Sequence, residues 1–227
     1  MGFAAILVSG TDTAVGKTKI TCDLARALAQ RSIRVGVMKP VETGCEATGA
    51  QLTPADALAL RAASGCQAPL ETICPYRYRA PLAPAAAAEA DRTAAPDFGV
   101  IRNCFAILAD AHEIVLVEGA GGLAVPITWE KSYADLALEL NLKLILVIGN
   151  RLGCINSAVL SFEYGDRRGL RLGGYILNDA DPQSTLSRET NAGSLRRLLR
   201  ADCLGEVRYR QSLTAESVDR IASLSRR

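Results

Sequence analysis

Short aliphatic runs recur along the chain and are separated by longer segments of mixed polarity. Runs that lack polar alternation are typical of strands covered on both faces of a sheet. They predict strands over Ala4–Ser9, Val35–Lys39, Ile114–Glu118, Lys143–Gly149, Gly173–Asn178 and, with the weakest pattern, Leu204–Arg208.

The segments between these runs carry the spacing of amphipathic helices. In the first, Ile20, Leu24 and Leu28 recur at four-residue intervals and so share one helix face. Similar patterns predict helices over Pro54–Ser64, Asp97–Ala111, Ser132–Leu140, Asn156–Arg168, Ser184–Arg200 and Ala215–Ser225. The alanine-rich stretch Ala80–Ala90 predicts a surface loop and a short helix, because Pro81 and Pro84 interrupt its beginning.

Strands that alternate with helices in this way indicate one architecture. We expect a single α/β domain over residues 1–227, with a doubly wound, mainly parallel sheet and helices on both faces. Ligands of such sheets bind beyond the carboxyl ends of the strands. The residues that follow the predicted strands are therefore the candidates for chemistry.

The composition is that of a globular protein without a strong charge bias. Of the 227 residues, 49% are hydrophobic and 22% are charged, which argues against a disordered chain. The net charge of +2 is too small to indicate binding to nucleic acid or to an anionic membrane, so neither is expected as a partner. The longest aliphatic runs, such as Leu144–Ile148, are too short to span a bilayer, and no signal peptide is expected.

Histidine and cysteine usage restricts the chemistry further. His112 is the only histidine, so any Ser–His or Cys–His nucleophilic mechanism would need it, and a multi-histidine metal site is excluded. The seven cysteines form no Cys-X-X-Cys pair. They are typical of reduced thiols in a cytoplasmic protein.

A glycine-rich segment with the features of a phosphate-binding loop follows the first predicted strand. It runs from Gly10 to Thr18 as GTDTAVGKT and leads into the first helix. The backbone N–H groups of such a loop wrap a polyphosphate, while Lys17 would contact its oxygens and Thr18 would bind Mg²⁺. Five residues instead of the usual four separate Gly10 from Gly16, which indicates a divergent branch of P-loop proteins.

Two acids and a second lysine are placed to complete such a site. Glu118 ends a predicted strand beside glycines, a position suited to binding a metal or orienting water. Asp56 begins a predicted helix, where by pattern alone an acid that favours the helix dipole is the better interpretation. Lys39 ends the second predicted strand at the same sheet edge as the loop, although an exposed edge lysine also fits that pattern. Together, Lys17 and Lys39 favour phosphoryl transfer to an anionic acceptor over simple hydrolysis.

With these residues identified, the chain resembles the dethiobiotin synthetases. The resemblance covers about residues 4–210, in the family's order and spacing, and seven ordered tracts are far more specific than one phosphate loop. The tracts are GTDTAVGKT (10–18), KPVETG (39–44), DALAL (56–60), PYRYRAPLAPAAAA (75–88), VLVEGAGG (115–122), LGCIN (152–156) and ILND (176–179).

The resemblance implies a homodimeric enzyme that joins CO2 to 7,8-diaminopelargonic acid and closes a cyclic urea, using ATP and Mg²⁺. One amine would take up CO2 as a carbamate, whose attack on the γ-phosphate would give a carbamic–phosphoric anhydride. The second amine would then displace phosphate. Because two anions must meet, local positive charge should carry much of the catalysis.

The resemblance also implies the roles of individual residues. It implies that Lys17, Lys39 and Thr13 act in catalysis. It implies that the metal is bound by Thr18, Asp56 and Glu118. Substrate binding falls to Lys39, Thr43, Thr13, Gly153, Cys154, Ile155 and Asn156, the last four receiving the substrate's carboxylate tail at the dimer interface. Nucleotide binding falls to Ala14, Val15, Gly16, Lys17, Thr18, Lys19, Asp56, Glu118, Gly119, Ala120, Gly121, Asn178, Asp179, Val207, Arg208 and Tyr209.

Some features leave alternatives open. Ala14 stands where the family often has glutamate, and the tract Glu206–Arg210 lacks the proline and tryptophan of the family, so the sequence leaves the base preference open. The alternative function is a P-loop ATPase that acts as a conformational switch in partition or metallocentre maturation. It is disfavoured because a second lysine is missing from the phosphate loop and the KPVETG tract would have no role. An amidating ligase of the cobyrinate kind would need a glutaminase domain, for which we expect no room.

Overall fold

The computed structural model describes residues 4–49 and 51–224. Its strands are β1 (Ala4–Gly10), β2 (Val35–Met38), β3 (Val41–Glu42), β4 (Glu46–Thr48), β5 (Gln51–Thr53), β6 (Tyr76–Arg77), β7 (Ile114–Gly122), β8 (Lys143–Gly149), β9 (Arg171–Asn178) and β10 (Cys203–Val207). Its helices are α1 (Lys17–Ala29), α2 (Ala55–Ser64), α3 (Leu70–Ile73), α4 (Pro84–Ala90), α5 (Phe98–Ala111), α6 (Tyr133–Glu139), α7 (Cys154–Arg167), α8 (Leu186–Leu198) and α9 (Ala215–Leu224).

The central sheet is built from the aliphatic runs. Strands β10, β9, β8, β1, β7 and β2 lie side by side in that order, and every neighbouring pair is parallel. Because β1 lies between β7 and β8, the direction of winding reverses at β1, and ligands of such sheets bind at this reversal. The predicted doubly wound, parallel α/β fold is confirmed.

Helices cover both faces of this sheet. Along β8, Ile145 and Val147 pack into the main core, whereas Leu146 and Ile148, which alternate with them, pack with residues of α7 and α8. All four side chains are fully buried. Successive side chains of a strand point to opposite faces, so the buried centre of this strand, Leu144–Ile148, is apolar at every position.

The structure differs from the predicted elements mainly between β2 and α4. There β3 pairs with β6 in parallel and β4 pairs with β5 in antiparallel, in small sheets that the pattern does not indicate. Strands of two or three residues are too short to show a period. Elsewhere β7 continues past Glu118 to Gly122, and α7 begins at Cys154 instead of Asn156. The last residue of the final predicted helix, Ser225, lies outside the described residues.

The short helix expected after the alanine-rich loop is α4, with Pro84 as its first residue. No helix in the described ranges is long and apolar enough to cross a membrane. All seven cysteines lie in those ranges and are free, as their spacing predicts.

Candidate active site

A cavity of about 550 Å³ lies at the carboxyl ends of the strands around β1. Its walls are formed by the ends of β3, β7 and β9, by segments that follow β1, β2, β3, β9 and β10, and by the starts of α1 and α2. The lining residues are Thr13, Ala14, Gly16, Lys17, Thr18, Lys19, Lys39, Glu42, Thr43, Asp56, Ala120, Gly121, Asn178, Asp179, Ala180, Tyr209 and Arg210. The cavity is therefore at the sheet edge where the parallel arrangement predicts a ligand.

The loop between β1 and α1 has a conformation that depends on glycine. Gly16 has a φ of +93°, in the left-handed region, and a Cβ atom there would collide with the side-chain amide of Asn178. That amide donates to the Val15 carbonyl oxygen at 2.9 Å. The end of β9 therefore holds the phosphate loop in place, in addition to the loop's own turn.

Lys17 folds back over this loop. Its Nζ donates to the carbonyl oxygen of Asp12 at 2.8 Å, and the residue is only 7% exposed although it lines the cavity. Burial and the neighbouring Lys39 ammonium lower the pKa of Lys17 to about 8. A partly desolvated ammonium beside a second one favours a polyanion as its ligand.

Lys39 lies at the centre of a charge cluster, which consists of Lys39, Glu118, Asp56 and Thr18. Its Nζ contacts Glu118 Oε1 at 2.6 Å and Asp56 Oδ2 at 2.7 Å. Thr18 Oγ1 donates to the same Glu118 oxygen at 2.8 Å. Burial alone would lower the pKa of Lys39, but the carboxylates of Glu118 and Asp56 outweigh it and raise that pKa. The ammonium is therefore charged and is neutralised by two carboxylates.

Asp56 does more than its position at a helix start predicts. It lies in the first turn of α2, where the dipole favours an acid, but its side chain also joins the charge cluster. Burial raises the pKa of Asp56, and the ion pair with Lys39 more than offsets this, so the pKa is lowered. The sequence pattern could not indicate this contact, because it depends on how α2 packs against the segment after β2.

The charge cluster fits a divalent cation. Glu118 Oε2 is buried without a hydrogen-bond partner, while the other oxygen of the same carboxylate accepts from the Thr18 hydroxyl and contacts Lys39 Nζ, which also contacts Asp56. Mg²⁺ in phosphate sites is held by one or two carboxylates together with phosphate oxygens and water. No group of three His, Cys, Asp or Glu side chains within the described ranges could hold a metal. A cation in the cluster would therefore complete its coordination with oxygens of a ligand or water.

Glu42 is a residue of this site that sequence reasoning did not single out. Its carboxylate accepts the backbone N–H groups of Asp56 and Ala57, each at 2.9 Å. Burial raises the pKa of Glu42, and these two hydrogen bonds partly offset the effect. A signal was present, because Pro54 stands at the start of the predicted helix and has no side chain that could cap it.

Most of the predicted site residues lie in or beside the cavity. The predicted nucleotide residues in its lining are Ala14, Gly16, Lys17, Thr18, Lys19, Asp56, Ala120, Gly121, Asn178, Asp179 and Tyr209, and the predicted substrate residues there are Thr13, Lys39 and Thr43. Val15 and Val207 belong to the hydrophobic core, and Glu118 is fully buried. Gly119 packs near Tyr133, and Arg208 Nη1 lies 3.7 Å from Asp179 Oδ2. Ala180 and Arg210 line the cavity without having been predicted.

The predicted substrate-tail tract, Gly153 to Asn156, lies outside the cavity lining. It begins α7, and Gly153 adopts a left-handed φ of +90° at the N-cap. Cys154 is buried, whereas the preceding Leu152 is 85% exposed. Arg151 pairs with Asp12 and so connects this helix start to the phosphate loop.

The chain is similar to known proteins over most of its length. A family model described as an AAA domain matches residues 4–217. A protein of Anaeromyxobacter dehalogenans named ATP-dependent dethiobiotin synthetase BioD is 44% identical over 193 residues, which are 85% of this chain and 84% of that protein. The protein of the same name from Xanthomonas euvesicatoria pv. vesicatoria is 42% identical over 221 residues, 95% of each chain.

Solved structures with low sequence identity share the fold. The septum site-determining protein MinD of Pyrococcus horikoshii, complexed with Mg-ADP, aligns with a TM-score of 0.54 and 16% identity. The alignment covers 92% of this chain and 82% of that one. At this identity the likeness concerns the fold alone.

Proposed function

Because the chain belongs to the family of ATP-dependent dethiobiotin synthetases, we infer that it is an ATP-dependent ligase that forms carbon–nitrogen bonds. The observation that best supports this in the site is that Lys17 and Lys39 line one cavity together with Thr13 and Thr43. Two ammonium groups in one cavity suit a reaction in which two anions must meet.

For the substrates we propose 7,8-diaminopelargonic acid and CO2, with ATP as the phosphoryl donor. One amine adds to CO2, loses a proton and becomes a carbamate. A carbamate oxygen attacks the γ-phosphorus, and ADP leaves. The second amine then attacks the carbonyl carbon and loses a proton, and phosphate leaves, taking with it the oxygen that bridged carbon and phosphorus. The products are the cyclic urea dethiobiotin, ADP and phosphate.

The residues divide this work between the two anions. Lys17 and the backbone N–H groups of the loop would hold the polyphosphate. Lys39 would face the carbamate, and Thr13 and Thr43 would donate to the substrate. Thr18, Asp56 and Glu118 would hold Mg²⁺, which, when bound, neutralises charge on the phosphate oxygens. Asn178, Asp179 and the tract Val207–Tyr209 would surround the base.

A second subunit would complete the substrate site. The tract Gly153–Asn156 begins a helix on the surface, outside the cavity of its own subunit. A helix N-terminus stabilises a carboxylate without an added cation. We therefore propose a homodimer in which this tract receives the substrate's tail from the neighbouring subunit. The seven free cysteines support a reducing, cytoplasmic location.

Phosphate release tests this function directly. The protein is mixed with MgATP and bicarbonate, with and without 7,8-diaminopelargonic acid, and phosphate and dethiobiotin are measured together. We expect release that depends on the diamine and matches dethiobiotin formation one to one. Phosphate release that does not depend on the diamine, or that is stimulated by DNA or a protein partner, would instead support the switch-type ATPase.

A further inference from the structure

We propose that Glu42 is a positioning residue for the metal-binding carboxylate Asp56. It would do so by fixing the N-terminus of α2 against β3, the strand that follows Lys39. The inference rests on the metal set of the proposed function, Thr18, Asp56 and Glu118. It adds a residue of the cavity lining that we assign to the helix start and not to the metal or the substrate.

The start of α2 lacks the usual local cap. A helix leaves its first backbone N–H groups without intrahelical partners, and a side chain just before the helix normally accepts one of them. Pro54 stands at the N-cap and makes no such bond. Glu42 instead accepts from Asp56 and Ala57, the second and third residues of the helix, at 2.9 Å each. It therefore caps α2 from a distant part of the chain.

The strand that carries Glu42 is itself held in place. β3 pairs with β6, and the Glu42 carbonyl oxygen accepts the N–H of Tyr78 at 2.9 Å. Three residues earlier, the Lys39 N–H donates to the Ile73 carbonyl oxygen at 2.8 Å. Residues 39–42 thus form a fixed support on which the helix start rests.

This support holds Asp56 at two separate points. Lys39 Nζ contacts the side chain at 2.7 Å, while Glu42 accepts the backbone N–H. If the Lys39 ammonium turns to a substrate anion, its contact with the Asp56 carboxylate weakens. The hydrogen bond from the Asp56 N–H to Glu42 then remains. Glu42 is 5% exposed, so its two hydrogen bonds form away from competing water.

The variant Glu42→Gln tests the role with little change in size. Its amide oxygen can accept one N–H group, but its NH2 group would face the other donor. We expect the Kd of Mn²⁺, measured by calorimetry on the full chain with ADP, to rise about tenfold or more, the usual effect of losing a group that orients a metal ligand.

Asp97→Ala, which removes a helix cap elsewhere, is the control. Asp97 is also a carboxylate that caps a helix, accepting from Gly99 N–H at 2.6 Å at the start of α5, outside the cavity lining. Both variants should lower Tm by about 2–4 °C. Only Glu42→Gln should weaken Mn²⁺ binding, because loss of a cap as such moves Tm and not metal affinity.

The outcomes separate this inference from the proposed function. If Asp56→Asn binds Mn²⁺ as the wild type does, the metal set itself is wrong. If Asp56→Asn weakens binding and Glu42→Gln stays within about twofold of wild type, the positioning role of Glu42 is overturned. Should Glu42→Gln fail to fold, Glu42→Asp, which keeps the charge on a shorter side chain, replaces it. Weaker Mn²⁺ binding by that variant supports the role, and unchanged binding overturns it.

Discussion

Lys39 illustrates how one side chain can serve two purposes in the same cavity. Its ammonium neutralises Glu118 and Asp56, which would otherwise be two close carboxylates, one of them fully buried. The same ammonium lines the cavity in which we place the reacting anions. Its loss should therefore affect the chemical step more than the binding of nucleotide, which we assign to Lys17 and the loop.

The variant Lys39→Ala measures that difference. We expect kcat to fall about 10²-fold or more while ATP affinity stays nearly unchanged, because Lys39 acts on charge that develops in the transition state. Steady-state kinetics and equilibrium nucleotide binding give the two quantities. Lys131→Ala, which removes a lysine paired with Glu139 on the surface, is the control. A near-normal kcat for Lys39→Ala would remove Lys39 from the mechanism.

Lys17 predicts a pH dependence for nucleotide binding. Its pKa of about 8 is below the ordinary 10.5, so in the free protein its ammonium loses a proton as the pH rises through about 8. A bound polyphosphate favours the charged form of Lys17. We therefore expect ATP binding to be accompanied by proton uptake at about pH 8.5 and by almost none at about pH 6.5. Calorimetry in buffers of different ionisation enthalpy measures this uptake. Lys17→Arg should abolish it, because arginine stays charged, and equal uptake at both pH values would contradict the assignment.

The same shift has a defined sign for stability. Between about pH 8 and 10.5, the unfolded chain binds more protons at Lys17 than the folded chain does. The contribution of Lys17 to the free energy of unfolding therefore rises with pH across that window. At neutral pH, the partly buried and charged Lys17 ammonium therefore lowers the free energy of unfolding.

At the scale of elements, the chain's pattern predicts what depends on burial and misses what depends on distant contacts. The strands of the central sheet are predictable, because cover on both faces requires apolar residues at successive positions. Strands β3 to β6 are not, because each is fixed by pairing with another short segment and not by its own period. The roles of Glu42 and Asp56 are difficult to predict from the pattern for the same reason, since they arise only when β3 and α2 come into contact.

The phosphate loop offers a test at this scale. Gly16→Ala would place a side chain at a φ of +93° and against the Asn178 amide that holds Val15. We expect ATP affinity to fall at least about tenfold, since the loop must move to relieve the collision. Gly65→Ala is the control, because Gly65 has a φ of +69° but no atom within 4 Å of the added Cβ. Equal nucleotide affinity in the two variants would contradict this account of the loop.

At the scale of the whole molecule, four exposed leucines lie on or next to the helices α7 and α8. Exposed leucines lie at the start of α7, on α7 itself and on α8: Leu152, Leu160, Leu186 and Leu198. Exposed large apolar side chains near a proposed shared site are candidates for an interface. Leu152 directly precedes Gly153, the helix start to which the proposed dimer assigns the substrate's carboxylate.

The variant Leu160→Glu tests the proposed dimer. A buried, unpaired carboxylate at an interface is costly, so we expect the variant to sediment as a monomer and to lose activity while its Tm changes little. Ile107→Glu, on the exposed side of α5, is the control and should remain dimeric and active. A wild-type protein that is monomeric at concentrations where it is fully active would contradict the shared site.

The fold by itself does not select the reaction. The structure of MinD from Pyrococcus horikoshii has the same fold at 16% identity, and one fold supports many functions. In this chain we attribute the selection to Lys17, Lys39, Asp56 and Glu118, which lie in or beside the cavity at the carboxyl ends of the strands. The proposed carbamate route differs from ATP hydrolysis in where the oxygen atoms of CO2 go during ATP cleavage.

Oxygen transfer from CO2 to phosphate is the most direct test. The enzyme is given freshly prepared CO2 labelled with ¹⁸O, the diamine and MgATP in unlabelled water, and the released phosphate is analysed by mass spectrometry within the first turnovers. A carbamate that attacks the γ-phosphate predicts one labelled oxygen in each phosphate formed. Phosphate that carries only water oxygen and unlabelled ATP oxygens would mean that ATP is hydrolysed, and the proposed chemistry would be wrong.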